Sequence, residues 1–415
     1  MMLASAARSK RSPAVAFVFV TMLLDWLVVG MISPVVPKLI VDFTGDVGRA
    51  SVIAGAFATA FALVQFVASP ILGLLSDRFG RRPIILLANV GSAVECAILA
   101  FAPNLWWLFV GRVLTGLTAA SAIAAAAYVA DVTPPEKRAA AFGMASGAFG
   151  LGFALGPAVG GSLAGVGLRV PFYAAMGLML ISAAYGFFVL PESLAPEKRH
   201  AAMAWSRANP LGSLKLVRRH RELSGLILSL FCSNLAVQSF SVFVLYTIYR
   251  FNWSEPMNGI GLSLFGALSV ASALLVGRLV ERFGPRAVVM TGFALGSVGF
   301  LIYGFAPTGV LFACALPLTG IWAVAGPPLQ SALSHRVGAS EQGELQGAIG
   351  SMRSISMIIG PAFFTLLFAA VSARGTYPLV GLPWFCGALL LVAAALFAQR
   401  AMRTQAPAVE TAVAT

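Results

Sequence analysis

Two carboxylates stand where water is scarce. Asp25 interrupts the apolar run Phe17-Val-Phe-Val-Thr-Met-Leu-Leu-Asp25-Trp-Leu-Val-Val29, and Glu95 interrupts Ile84 to Ala102. A charge at the centre of an isolated membrane helix costs at least about 2.5–3.5 kcal/mol on insertion scales, so such residues pair or face a cavity. A carboxyl that leaves water can also shed its charge by holding a proton. Reversible protonation is what a proton-exchanging site requires, and both residues are candidates for it. The competing reading is a structural ion pair with Arg112 or Arg353, the two basic residues inside apolar runs. His200, His220 and His335 all fall between the runs, so a proton relay would use carboxylates.

A second group of charges lies in Gly73-Leu-Leu-Ser-Asp77-Arg78-Phe-Gly80-Arg81-Arg82-Pro83. Its glycines permit a tight turn, and Asp77 is placed to meet a helix N-terminus or a neighbouring arginine. The same pattern returns as Gly277-Arg-Leu-Val-Glu281-Arg282-Phe-Gly284-Pro-Arg286. Phe101-Ala-Pro103 returns as Phe305-Ala-Pro307, and Gly156-Pro157 as Gly360-Pro361. The offset is 204 residues in every case, from Gly73 to Gly277 and from Gly156 to Gly360. A constant offset over that distance marks two homologous halves.

The elements that carry these residues follow from composition. Hydrophobic residues make up 59% of the chain and charged residues 10%, against about 25% charged in soluble domains. About 20 apolar residues in a helix cross a bilayer core. Twelve such stretches are expected: 14–38, 50–75, 83–102, 105–130, 139–164, 171–190, 222–249, 258–280, 286–306, 309–333, 345–372 and 379–400. The chain reads as an all-α membrane protein of two six-helix halves, 14–190 and 222–400. A polar, basic linker at 191–221 joins them, with a short surface helix expected between Trp205 and Val217. Residues 1–13 and 401–415 are cytoplasmic ends, the latter expected to be disordered from 403 on.

With both termini in the cytoplasm, the outer loops hold Lys38, Arg49, Arg169, Arg250 and Arg374, Arg112 and Arg353 lie in spans, and the other 21 of the 28 Lys/Arg are cytoplasmic. This positive-inside bias sets orientation. The net charge of +13 therefore marks topology and contact with anionic lipid, and not nucleic-acid binding. Cys96, Cys232, Cys314 and Cys386 lie in spans with no disulfide or metal-ligand spacing. No phosphate-binding Gly-rich loop ending in Lys-Ser/Thr occurs, and no span holds a nucleophile–base pair, so no enzyme, cofactor or resident metal is expected.

Gly152, Gly156, Gly160 and Gly161 recur at near-helical spacing, forming a groove along the fifth helix for close packing, with Pro157 allowing a bend. Asn89, Asn234, Gln238, Tyr246, Trp322, Gln330 and Arg353 are candidate linings of a cavity near the midplane, with interhelical hydrogen bonding or an interfacial aromatic belt as the alternative.

The Gly73–Pro83 segment resembles the signature loop of the major facilitator superfamily. Leu108-Phe-Val-Gly-Arg112-Val-Leu-Thr-Gly116 resembles its helix 4 arginine motif, and Gly152-Phe-Ala-Leu-Gly156-Pro157-Ala-Val-Gly160-Gly161 the helix 5 motif of its proton-coupled antiporters. Nearly the whole chain is similar to bacterial tetracycline exporters, through Leu24-Asp25, Pro34-Val-Val-Pro37, Tyr128-Val-Ala-Asp131-Val-Thr133, Leu190-Pro-Glu-Ser193 and Gly343-Glu-Leu-Gln-Gly347. The resemblance implies a gating network of Asp77, Arg81, Arg112 and Asp131 at the cytoplasmic face, with a static clamp on helices 2, 3 and 4 as the alternative. It implies proton-driven export of a small amphipathic, tetracycline-like compound from the bacterial inner membrane by a monomer, with magnesium conceivable only as cargo on a chelating drug. A proton-coupled importer of a metabolite and a transport-inactive sensor are the alternatives. The chain departs from the exporters in lacking a helix 9 acid between Val288 and Ala306, in offering only Ser263, Ser269 and Ser272 along Leu262 to Val276 in helix 8, and in carrying Arg353 in helix 11.

Overall fold

The computed structural model describes residues 12–118, 121–195, 197, 199, 223–338, 341–375 and 378–403. The expected linker helix and C-terminal tail fall outside these residues. Among the described residues every regular element is helical, and eleven helices are long and apolar enough to cross a membrane. A twelfth, Leu105–Thr118, is shorter, and Ser121–Val132 follows it in the same predicted span.

In chain order, α1 comprises Ser12–Ile32 and Val35–Thr44, α2 is Val47–Phe79, α3 is Arg81–Phe101, and α4 comprises Leu105–Thr118 and Ser121–Val132. Then come α5 (Arg138–Val166), α6 (Val170–Val189) and α7, which comprises Ser224–Val237, a 3-10 turn at Gln238–Val242, and Phe243–Phe251. They are followed by α8 (Glu255–Phe283) and α9 (Pro285–Phe305). Four short pieces build α10: Gly309–Cys314, Leu316–Ile321, Trp322–Ala325 and Gly326–Ser334. The last two are α11 (Gln342–Ser372) and α12 (Leu382–Arg403).

The twofold repeat appears in backbone geometry. Gly80 (φ 106°, ψ 160°) and Gly284 (φ 79°, ψ 154°) make the turns before α3 and α9, in a positive-φ region open to glycine and costly for other residues. Both following helices are 21 residues long and end in an extended Ala, Ala102 or Ala306. Asn104 and Thr308, also one offset apart, cap the next helices. Asn104 Oδ1 accepts from the Trp106 and Trp107 amides at 3.1 and 3.3 Å, and Thr308 Oγ1 accepts from the Leu311 amide at 3.3 Å. A Cβ added to Gly116 would lie 2.9 Å from Val64 Cβ, and one added to Gly320 would lie 2.5 Å from Leu268 Cβ. The α2–α4 crossing is thus copied in α8–α10.

Several predicted spans are not single helices. The α-helix of α1 breaks at Ser33-Pro34 and that of α7 at Gln238, again one offset apart. Proline has no N–H to donate and clashes with the preceding turn. In α10, Pro317, Pro327 and Pro328 each fall at the first turn of a new helical piece, where a missing donor costs least. By contrast α5 runs unbroken through Pro157.

The chain forms two compact units, one from Met1–Asn209 with Val244–Ala267 and the other from Pro210–Phe243 with Leu268–Thr415. In the first, α5 is pressed against α1 along its glycines. A Cβ on Gly152 would lie 2.7 Å from Trp26 Cβ, one on Gly156 would lie 2.7 Å from Gly30 Cα, and one on Gly160 would strike the Met31 backbone. Gly161 faces Glu255 and Gly259 of α8 instead, and the Ala158 amide donates to Ser263 Oγ of α8 at 2.7 Å. The second unit is built around buried rings. Tyr303 stacks on Phe312 with centroids 4.2 Å apart and meets Trp384 edge-on at 5.1 Å, with Phe243 and Phe300 alongside.

Candidate functional site

Arg81, the first residue of α3, gathers the charges at one end of the first unit. Its Nη1 donates to Asp77 Oδ1 at 2.5 Å and to Ser76 Oγ at 3.1 Å, and its Nε donates to Asp131 Oδ2 at 3.2 Å. Asp77 ends α2 and Asp131 ends α4, so one guanidinium ties three helix termini. The Arg81 side chain is only 11% exposed, while its carboxylate partners Asp77 and Asp131 stay partly open to solvent.

Beneath that group lies a carboxylate that the sequence reading did not place in the network. Glu192, just beyond α6, accepts at Oε1 from the backbone amides of Arg81, Ser193 and Leu194 at 2.9, 3.0 and 3.1 Å. It supplies an acceptor to the free N–H end of α3, where the helix dipole also favours a negative charge. Gly80 must be glycine for a second reason, since an added Cβ would collide with the Glu192 carboxylate. Ser193 Oγ donates to Asp131 Oδ2 at 3.2 Å, and Tyr128 hydroxyl donates to the Pro191 carbonyl at 3.0 Å. The buried Ile84, Ile85, Ala125, Tyr128 and Leu190 pack under the cluster.

Arg112 does not join this network. It lies in α4 beside Glu95 of α3, with Nη2 3.5 Å from Glu95 Oε1 and 3.3 Å from Thr115 Oγ1. Thr115 hydroxyl donates to Glu95 Oε1, and the Arg112 guanidinium lies 5.7 Å from the Phe61 ring centroid. The grouping of Arg112 with Asp77, Arg81 and Asp131 is therefore corrected: a lone buried carboxylate two turns from the end of α3 is its nearer electrostatic partner. Glu95 is buried, at 3% exposure. The contact is a single one, without the two-pronged fork of a strong Arg–carboxylate pair, and Arg112 Nε has no hydrogen-bond partner.

Asp25 stands alone. It is half-buried in α1, and among the described residues no basic group reaches it. Its neighbour Trp26 meets Phe149 of α5 edge-on at 4.4 Å, and Phe149 stacks on Phe153.

The residues proposed for a cavity divide sharply. Asn89 is buried and donates to Ser182 Oγ at 3.1 Å, tying α3 to α6. Tyr246 is fully buried, and Trp322 is buried against Phe300 at 5.6 Å. These three belong to packing and not to a lining. Asn234 is half-buried and donates to its own helix at the Leu230 carbonyl, 2.9 Å away. Gln238 is half-buried at the α7 break, against Gly360 of α11. Gln330 is exposed and donates to Gln346 Oε1 at 3.0 Å. Arg353 is exposed, with no ion-pair or hydrogen-bond partner among the described residues. Among those residues no cluster of three His, Cys, Asp or Glu has metal-binding geometry.

Sequence comparison assigns this architecture. The profile of the Major Facilitator Superfamily matches residues 18–254 and 226–413. The chain is 35% identical to the class C tetracycline resistance protein of Escherichia coli over 383 residues, covering 92% of this chain and 95% of that one. It is 34% identical to the class G tetracycline resistance protein of Vibrio anguillarum, covering 88% and 92%. Among solved structures, an inward-facing, unoccupied bacterial homologue of the human lysosomal transporter Spinster superposes with a TM-score of 0.77 at 16% identity, covering 95% and 97%. That likeness concerns fold alone. Profile, relatives and helical repeat agree: the chain is a multi-pass membrane transporter, not an enzyme, and it belongs to the Major Facilitator Superfamily.

Proposed function

We propose that this transporter exports a small amphipathic compound from the bacterial inner membrane in exchange for protons, by alternating access and as a monomer in contact with membrane lipid. Both termini are cytoplasmic, and the halves 14–190 and 222–400 are the bodies that move. The observation that carries the reading is the isolation of Asp25, a membrane carboxylate without a counter-charge among the described residues. Such a group is accommodated most cheaply by taking up a proton. Glu95 is the second coupling group, held by Thr115 and weakly by Arg112. A proton on Glu95 would release Arg112, linking protonation to the α3–α4 seam. Asp77, Arg81 and Asp131, seated on Glu192, form the gate latch. The names of the tetracycline resistance relatives support efflux and a tetracycline-like cargo.

The test uses everted membrane vesicles energised to an acidic interior. Export in the cell appears there as proton-driven accumulation of tetracycline or another amphipathic probe. Asp25→Asn is expected to abolish accumulation while the protein remains in the membrane. Accumulation that survives Asp25→Asn, or proton-driven movement of probe in the opposite direction, overturns the reading.

A further inference from the structure

Arg353 is a positive charge that the structure leaves unanswered. It is the twelfth residue of α11, about 17 Å along the helix axis from Gln342. The described acids of the second unit are Glu281 in the last turn of α8 and Glu341 and Glu344 at the start of α11, and none pairs with Arg353 among the described residues. The position one repeat earlier is Phe149, which stacks on aromatic neighbours. The charge is therefore a departure from the chain's own symmetry.

The face that bears it is built for access. Gln346, Gly350 and Arg353 lie along one side of α11 at helical spacing, and all three are exposed. A Cβ added to Gly350 would meet nothing within 4 Å. Further along the same side, Pro361, Phe364 and Phe368 are buried, so the polar stretch ends in a packed apolar floor. An arginine directed at lipid would cost at least about 2.5–3.5 kcal/mol, which favours an assignment of this exposed face to a polar surface. A guanidinium held there presents several N–H donors to a planar anionic oxygen group.

We infer that Arg353 recognises an anionic oxygen group, a carboxylate or an enolate, on the transported compound. The inference rests on the transport reading above in taking the ligand to be cargo. Gly350 leaves room beside the guanidinium, and Gln346, whose amide oxygen accepts from Gln330, lies on the same side of α11. The class of compound is an amphipathic acid, its anionic group meeting the exposed face of Gln346, Gly350 and Arg353.

The test compares acids with neutral isosteres on the full-length protein in lipid nanodiscs. The probes are 2-naphthoic acid and fluorescein, each beside its methyl ester, with equilibrium affinity as the readout. Wild type is expected to bind each acid at least about tenfold tighter than its ester, R353K to keep part of that preference, and R353Q to bring the ratio to about one. A wild-type ratio near one, or a ratio unchanged in R353Q, overturns the inference. Equal weakening of acid and ester in both R353Q and D25N also overturns it, because Arg353 would then serve as an internal counter-charge. Vesicle transport separates the two readings. Acid-selective binding without proton-driven movement defeats the efflux reading and leaves the Arg353 site standing. Proton-driven movement without acid preference does the reverse.

Discussion

The α3–α4 seam of the first half and the α9–α10 seam of the second are copies with different chemistry. In the first, Glu95, Arg112 and Thr115 form a buried polar contact. One repeat later those positions are Gly299, Leu316 and Thr319. The threonine is retained, but its hydroxyl is 2.7 Å from that of Tyr303, which replaces Leu99. Gly299 is pressed against Thr319, where an added Cβ would lie 2.7 Å from Cγ2. One seam thus keeps a charge that can be neutralised, and the other is closed by neutral packing and rings. The charged cluster around Arg81 divides in the same way. Asp77, Arg81 and Asp131 become Glu281, Pro285 and His335, and Glu281 is exposed without an ion pair among the described residues. The shared scaffold carries a half with buried and surface ion pairs and a half whose equivalent positions are neutral or unpaired among the described residues.

The strongest way to break this comparison is Arg112→Ala, which strands Glu95 in the protein interior. The contact is single and charge-assisted, worth about 1.5–3 kcal/mol, so a fall in melting temperature of the detergent-purified protein is expected. Adding Glu95→Gln should recover much of that loss. A single variant that melts like wild type would show that Arg112 does not hold Glu95. Next comes the latch. Asp77→Asn removes a charge-assisted bond worth about 1.5–3 kcal/mol, which corresponds to a loss of transport of about tenfold or more. Glu281→Gln should change transport less than about twofold; equal losses would mean that both halves are gated alike. The smallest effect is expected from Tyr303→Phe. It removes one neutral hydrogen bond worth about 0.5–1.5 kcal/mol and should lower thermal stability slightly while leaving the pH profile of transport in place. A shifted profile would place proton chemistry in the second half.

Much of the fold was legible in the sequence because the membrane demands it. Apolar length, basic asymmetry and the 204-residue echo each report a constraint that acts along the chain. The helix extents reach beyond the expected apolar stretches in places, as in α2, which runs Val47–Phe79 against an expected 50–75. The site was less legible, because partners there are chosen across the chain. Glu192 caps a helix 111 residues away, and no local pattern links Pro191-Glu192 to Arg81. Arg112 was placed with the latch by motif likeness, whereas its position in α4 sets it beside Glu95. Polarity alone left Asn89, Tyr246 and Trp322 open between lining and packing, and here they satisfy or bury their polar atoms within the bundle. Arg353, by contrast, was singled out by type and position, and its exposure is what the structure adds.

The Glu192 cap has a mechanical consequence. The strap that connects the halves begins at Leu190, and its second and third residues are fastened to the latch by the Tyr128 hydroxyl and by the amide of Arg81. Displacement of Pro191 or Glu192 would thus act first on backbone-anchored bonds at the root of α3, and only then on the guanidinium that ties the helix ends together. A change at Glu192 would therefore loosen the exit of α6 and the start of α3 at once.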